Sequence, residues 1–330
     1  MPDAAGDAYR VVVAHESFDF RRPLGDTLAD LLDDFSDALE ELQADGSVAA
    51  WASWASHDCR DELPLYDFLY AGGSGPDAVS PDVRRRLSRL MDKCRLWDDD
   101  EAEKIPDDVV VAGESTAWPS AVGHAMLRSL RGLTTACLLF PTAATASGWQ
   151  PVSSGSESAS ESEPLATAVY FLRRAPEITG FWRALFDRED VDEAGFPVLA
   201  GRAFPRLILA EGLSFGRFTG HYRDLRPWVV QVLSVVNDRF ADAVAENAGL
   251  PRQVQAALGG SGITLSPESS RTRANESVMR LRDVEHDGGT YRCEWHAKQH
   301  PTHNRVHFSL PGQRSDGKVL IGIFVDHLPT

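Results

Sequence analysis

Cysteine is scarce: Cys59, Cys94, Cys137 and Cys293 are the four in 330 residues. No two are close enough in sequence to form a short metal knuckle, and this density at this length does not make a disulfide scaffold. Long apolar runs are absent as well. No stretch approaches the roughly twenty apolar residues of a membrane span, and the first residues lack the basic start and apolar run of a signal peptide. These absences predict a cytoplasmic chain with reduced thiols and no membrane partner. A glycine-rich phosphate loop is also missing, because GGSG at 72–75 and 259–262 comes without the lysine and helix context such a loop needs. Positive charge is in deficit, with 33 Lys+Arg against 49 Asp+Glu and a net charge of −16. That balance does not suit a free-standing nucleic-acid coat, though it leaves room for a local basic site.

What the chain does have is enough apolar content, 43%, to build real cores. Its charge is uneven. From Gly262 onward there are nine Lys/Arg and eight Asp/Glu, which leaves 24 basic and 41 acidic side chains for residues 1–261. Periodicity predicts the elements. YRVVVA (9–14) reads as a strand and 24–44 as an amphipathic helix with Leu28, Leu31, Leu32, Phe35, Leu39 and Leu42 on one face. Ser80 followed by Pro81 opens a second helix. DDVVVAG and GLTTACLLF read as strands around the helix WPSAVGHAMLRSL. The acidic run Asp98–Glu103 reads as solvated. The predicted fold class is α+β, with mixed α/β N-terminal and middle regions followed by a small antiparallel unit. Residues 1–150 form the acidic region and 151–163 (PVSSGSESASESE) a polar linker or mobile loop. Residues 164–260 form a strand–helix region whose long helix has Pro227 in its first turn, and 261–330 form the last unit. Trp182 and Trp228 read as packing residues, and 165–247 is the region expected to meet a protein partner.

Six of the ten histidines fall between His286 and His327. TYRCEWHAK alternates, so Tyr291, Cys293 and Trp295 share one face and Arg292, Glu294, His296 and Lys298 the other. NRVHFSL alternates too, with Val306 and Phe308 opposite Arg305 and His307. The reading is an antiparallel hairpin with an apolar face and a polar face. KVLIGIFVDHL is apolar on both faces and reads as a central strand in which Gly322 avoids crowding a neighbour or ligand. Asp326 and His327 at its end can approach the polar face.

Glu294, His296, Lys298, Arg305 and His307 are the candidate catalytic residues. A histidine or carboxylate can take the proton of an RNA 2′-hydroxyl, another can protonate the leaving oxygen, and lysine and arginine can hold the phosphate. This needs no cofactor and no metal. Two alternatives remain open. His296 and His307, with His300, His303 and Cys293 near in sequence, are potential metal ligands. A metal-dependent nuclease of the restriction type would use Glu294-Trp295-His296 and Lys298, with Glu268, Glu285 or Asp287 as a further carboxylate.

EWHAK, NRVHF and GKVLIGIFVDHL, within about Arg280–Leu328, resemble the compact ribonuclease toxins of the RelE/ParE-like superfamily. The resemblance implies a small twisted antiparallel sheet and cleavage of messenger RNA. The expected function is thus an endoribonuclease-like toxin or antiviral defence effector with RNA as substrate, regulated by the acidic front. The competing expectation is a non-enzymatic binding or scaffold component.

Overall fold

The computed structural model describes residues 9–22, 24–44, 46–71, 78–97, 105–106, 108–116, 119–154 and 165–330. The acidic run, the first GGSG and residues 155–163 of the polar segment lie outside these. The chain is α+β, in two compact units, 1–181 and 182–330. Among the described residues, no helix is long and apolar enough to cross a membrane. Counted by unit, residues 182–330 hold 18 Lys/Arg and 18 Asp/Glu, so the formal charge of −16 belongs to the first unit.

The first unit is built on an eight-stranded sheet. Five strands are parallel: β1 (Tyr9–Val13), β2 (Val48–Trp51), β3 (Arg95–Trp97), β6 (Thr134–Leu138) and β8 (Ala166–Leu172). Three more, β4 (Val109–Val111), β5 (Glu114–Ser115) and β7 (Gly148–Ser154), extend one edge antiparallel, giving the order β3-β2-β1-β6-β8-β7-β4-β5. Val12, Cys137 and Phe171 are cross-strand neighbours and pack with Ala121, Val122, Ala125 and Met126 of helix Pro119–Leu130. Leu28, Leu32, Phe35, Leu39 and Leu42 of helix Gly25–Ala44 are all buried, as their spacing predicts. Each such side chain contributes about 1.5–3 kcal/mol. Ser80 caps the helix Pro81–Met91 by accepting from the Asp82 amide at 3.3 Å. The expected boundary at 150 is not where the units part. Residues 151–154 belong to β7, which pairs along its length with β8, so the polar segment joins two strands of one sheet.

The second unit carries a five-stranded sheet. Its strands are β9 (Leu207–Leu209), β10 (Thr264–Pro267), β13 (Trp295–Lys298), β14 (Arg305–Phe308) and β15 (Val319–Val325), in the order β9-β15-β14-β13-β10. Only the β9–β15 pair is parallel. β15 is flanked on both sides, as its apolar run predicts. The apolar face of the hairpin rests on Phe240, whose ring lies 5.2 Å from Trp295 and 5.0 Å from Phe308. Phe240 ends a wide helical turn, Val236–Phe240, that continues the helix Tyr222–Val235. That helix starts a turn earlier than expected, so Pro227 sits inside it.

The continuous strand expected over TYRCEWHAK is broken. β12 (Gly289–Arg292) pairs instead with β11 (Asp283–His286), in a hairpin turned by Asp287 and Gly288 with φ of 49° and 73°. These are the left-handed values that a two-residue hairpin turn requires. At the break the Cys293 amide bonds to the Arg282 carbonyl at 2.8 Å, and the thiol packs among Ala210 and Leu320. Gly322 faces that thiol: a Cβ there would overlap Cys293 Sγ and approach Val284 Cγ2 to 2.9 Å. Gly322→Ala is expected to destabilise the second unit by about 1–3 kcal/mol through overpacking. Denaturant unfolding would measure it, and an unchanged midpoint would refute the crowding.

Candidate functional site

Strand register assembles the site. His296 stands opposite His307 and Lys298 opposite Arg305, while on the other side of β13 Ser266 faces His296 and Thr264 faces Lys298. Alternation sends Trp295 and Ala297 to the apolar face, so these polar side chains share the other. The two imidazole rings lie 5.0 Å apart. The loop between the strands is held by Asn304, in the left-handed region at φ 57°. Its amide oxygen and nitrogen bond the Thr219 amide and carbonyl at 2.8 and 2.9 Å, and its nitrogen also reaches Gln299 Oε1 at 2.7 Å. That anchoring keeps Arg305 in register with Lys298.

The carboxylate of the site comes from Glu268, one residue past β10, whose amide bonds the Glu294 carbonyl at 2.9 Å. Arg282, completely buried, donates from Nε to Glu268 Oε1 at 2.8 Å. Its other nitrogens donate to the carbonyls of Val278 and Pro329, both at 2.9 Å. Glu268 Oε1 also lies 3.7 Å from His296 Nδ1 and 4.0 Å from His307 Nδ1. His296 Nε2 is 3.3 Å from Ser266 Oγ. His296 Nδ1 and both ring nitrogens of His307 are buried without a hydrogen-bond partner. Glu268, His296 and His307 form the cluster of potential ligands among the described residues, with donor atoms within 4.8 Å of one another.

Electrostatics keep both rings neutral. Burial, then His307, Lys298, Arg305 and Arg282, push His296 down to about 2. Burial and Arg282 hold His307 at about 3, the Cys293 backbone pulling the other way. Lys298 is lowered by burial and by Arg305, and Arg305 by burial and Arg282, while Glu268 pulls both the other way, joined at Arg305 by Asp326; Arg305 also donates to the Pro301 carbonyl at 3.3 Å. Neither cation has a carboxylate within ion-pair distance among the described residues, and Arg305 Nε is buried and unpartnered. Two like charges directly opposite on neighbouring strands are destabilising, a cost that an anion beside them would relieve.

Of the expected catalytic residues, His296, Lys298, Arg305 and His307 are brought together and Glu294 is not. It falls in the strand break and pairs with Arg273 at 3.5 Å. The polar face that carries the histidines is interior: His296 is 4% exposed and His307 0%. Neither is buried against an apolar core, for Glu268 and Arg282 stand beside them. His300 and His303 pair with each other in the loop, rings 4.7 Å apart, and His286 lies beside Asp287. Asp326 bonds the Asn304 amide at 3.3 Å, and His327 is close enough for Arg305 to lower its pKa. Sequence reasoning left Glu268 as one of three spare carboxylates, although the alternation Thr264, Ser266, Glu268 points it to the polar face. Arg282 went unnoticed, having no local signal.

The first unit has a groove of about 970 Å³ at the carboxyl ends of β1 and β6, lined by Glu16, Asp19, Arg22, His57, Asp61 and Thr142 among others. In a parallel sheet this crevice is the usual ligand position. Here Glu16 accepts from the amides of Ser120 and Ala121 at 3.0 and 3.2 Å. Its own carboxylate thus fills the helix N-terminus where a phosphate would sit. Compared with known proteins, the chain matches no protein-family model, no curated protein and no solved structure.

Proposed function

We propose that the second unit is a nuclease-like hydrolase that cleaves phosphodiester bonds, with RNA as the substrate. The observation that carries this is the cross-strand pair Lys298–Arg305, two cations without a carboxylate partner, one row along the strands from His296–His307. Two residues along a strand is about 7 Å, the distance over which one phosphate can touch the cations while its reacting bond faces the Glu268–His296–His307 cluster. Lys298 and Arg305 hold the phosphate and stabilise charge that builds on it. RNA is preferred to DNA on the resemblance of EWHAK and NRVHF to the RelE/ParE-like toxins. A toxin or defence effector restrained by the acidic first unit agrees with that resemblance and with the charge division. A protein-docking role for residues 165–247 has less support. The large hydrophobic side chains exposed there are Leu165 in the first unit and Val198 in the second, one in each.

Labelled RNA and DNA, incubated with wild type, Lys298→Ala, Arg305→Ala and the double variant, test this. RNA cleavage is expected to fall at least tenfold in each single variant and further in the double. The logarithmic salt dependence of RNA binding is expected to weaken by about 0.7 per lost phosphate contact. Cleavage of neither polymer by wild type, or equal cleavage by the double variant, would overturn the proposal.

A further inference from the structure

We infer that Glu268, His296 and His307 bind one divalent transition-metal ion and leave a coordination position open toward Lys298 and Arg305. Its catalytic role rests on the nuclease reading above; the binding itself does not.

Burial is the first argument. A group that transfers protons to RNA must touch RNA, and His307 is fully enclosed. A metal ligand has no such need, because the ion meets the substrate on its behalf. The second is the set of unpartnered atoms. A buried polar nitrogen without a hydrogen bond costs about 1–3 kcal/mol, and His296 Nδ1 and the two nitrogens of the His307 ring are such atoms. One ion between the rings and the carboxylate would satisfy His296 Nδ1 and one nitrogen of His307 together. The third is geometry. Donor atoms around a tetrahedral ion with bonds of about 2.0–2.1 Å stand about 3.4 Å apart. The oxygen–nitrogen separations are 3.7 and 4.0 Å and all three donors lie within 4.8 Å of one another, so side-chain rotations closing them by about 0.3 to 1.4 Å would complete the site.

The surroundings fit the role. A ligating histidine normally donates its other nitrogen to an oxygen, which fixes its tautomer; His296 Nε2 has Ser266 Oγ. Ligating carboxylates are themselves held, and Arg282 holds Glu268. Two nitrogens and one oxygen suit zinc, manganese or iron rather than calcium or magnesium. The ion adds positive charge beside Arg282, Lys298 and Arg305, against one carboxylate. A phosphodiester held by Lys298 and Arg305 would offset part of that charge. An ion held there would lower the pKa of a water beside it; attack of that oxygen on phosphorus, its proton passing to solvent, would break the bond from phosphorus to the leaving oxygen, which would take a proton from solvent, so the step would be hydrolysis.

The full chain, stripped with chelator and dialysed against Zn²⁺, is to be examined by elemental analysis and calorimetry. One ion per chain is expected, with affinity at least a hundredfold lower in His296→Ala and His307→Asn and unchanged in His300→Ala/His303→Ala. Should His307→Asn fail to fold, His296→Ala, checked by circular dichroism, and the visible absorption of Co²⁺ in wild type carry the test. Less than stoichiometric zinc, or zinc lost in the His300/His303 variant alone, overturns the site. Stoichiometric zinc without RNA cleavage would sink the nuclease reading and keep the site. Cleavage by metal-free chain would keep the nuclease reading and remove the ion from it.

Discussion

Arg282→Met is expected to destabilise the second unit by about 3–5 kcal/mol. The guanidinium is fully buried and hydrogen-bonds to Glu268, Val278 and Pro329. Methionine fills much of the same volume, so the cost is electrostatic: Glu268 would stay interior as a charge without its partner, the case in which breaking a buried pair costs most. The loss is a large fraction of the roughly 5–15 kcal/mol by which native proteins are stable. Replacing both residues, as Arg282→Met with Glu268→Leu, removes the stranded charge and is expected to recover much of the stability. It is also expected to abolish metal binding, which separates what the pair does for the fold from what it does for the site. Hydrogen exchange resolved by peptide would follow the β13–β15 strands in each variant, and a double-mutant cycle would give the coupling. A single-variant loss below about 1 kcal/mol would show that the pair does not hold the unit together.

Most of the elements and one face of the site were legible in the sequence, because period and alternation are local properties. The helix at 25–44, the strands at 9–13 and 134–138, and the pairing of β13 with β14 follow from them. So does the opposition of Trp295 and Ala297 to His296 and Lys298. The strand break at Cys293–Glu294 does not follow. The alternation T-Y-R-C-E-W-H-A-K runs through it unchanged, while the contacts at the break, the Cys293 thiol against Gly322 and its amide on the Arg282 carbonyl, come from elsewhere in the sequence. Glu294 was misplaced for that reason. Glu268 and Arg282 reach the histidines from 28 and 14 residues upstream of His296, across separate elements, and no local pattern announces such a meeting. Interior position was equally invisible: a polar strand face reads as solvated until a second element covers it. Composition also cannot distinguish a polar linker between units from a polar connection between paired strands, which is why the boundary expected at 150 fell elsewhere.

Acid is expected to unfold the first unit well before its carboxylates titrate, because that unit buries two neutral histidines. His15, 1% exposed, stacks near Trp51 and has the His57 ring 5.8 Å away; burial first and His57 second bring it down to about 3. His124 lies flat on Trp97 at 4.3 Å with Arg10 beside its Nε2. Burial, then Arg10, Arg128 and Arg131, bring it to about 3 as well. In the unfolded chain both titrate near 6.5. Below that value the unfolded chain binds protons that the folded unit refuses, so stability is complete above about pH 6.5 and is lost as pH falls toward 3. Each group contributes a slope of about 1.4 kcal/mol per pH unit within that window, and the two together about 2–3 kcal/mol per unit between pH 6 and 4. Unfolding free energies measured at pH 7, 6, 5 and 4 should show that decline, and His124→Gln should remove about half of its slope. A flat profile from pH 6.5 to 4.5 would mean that these rings accept protons in the folded unit, and would overturn the account of their burial.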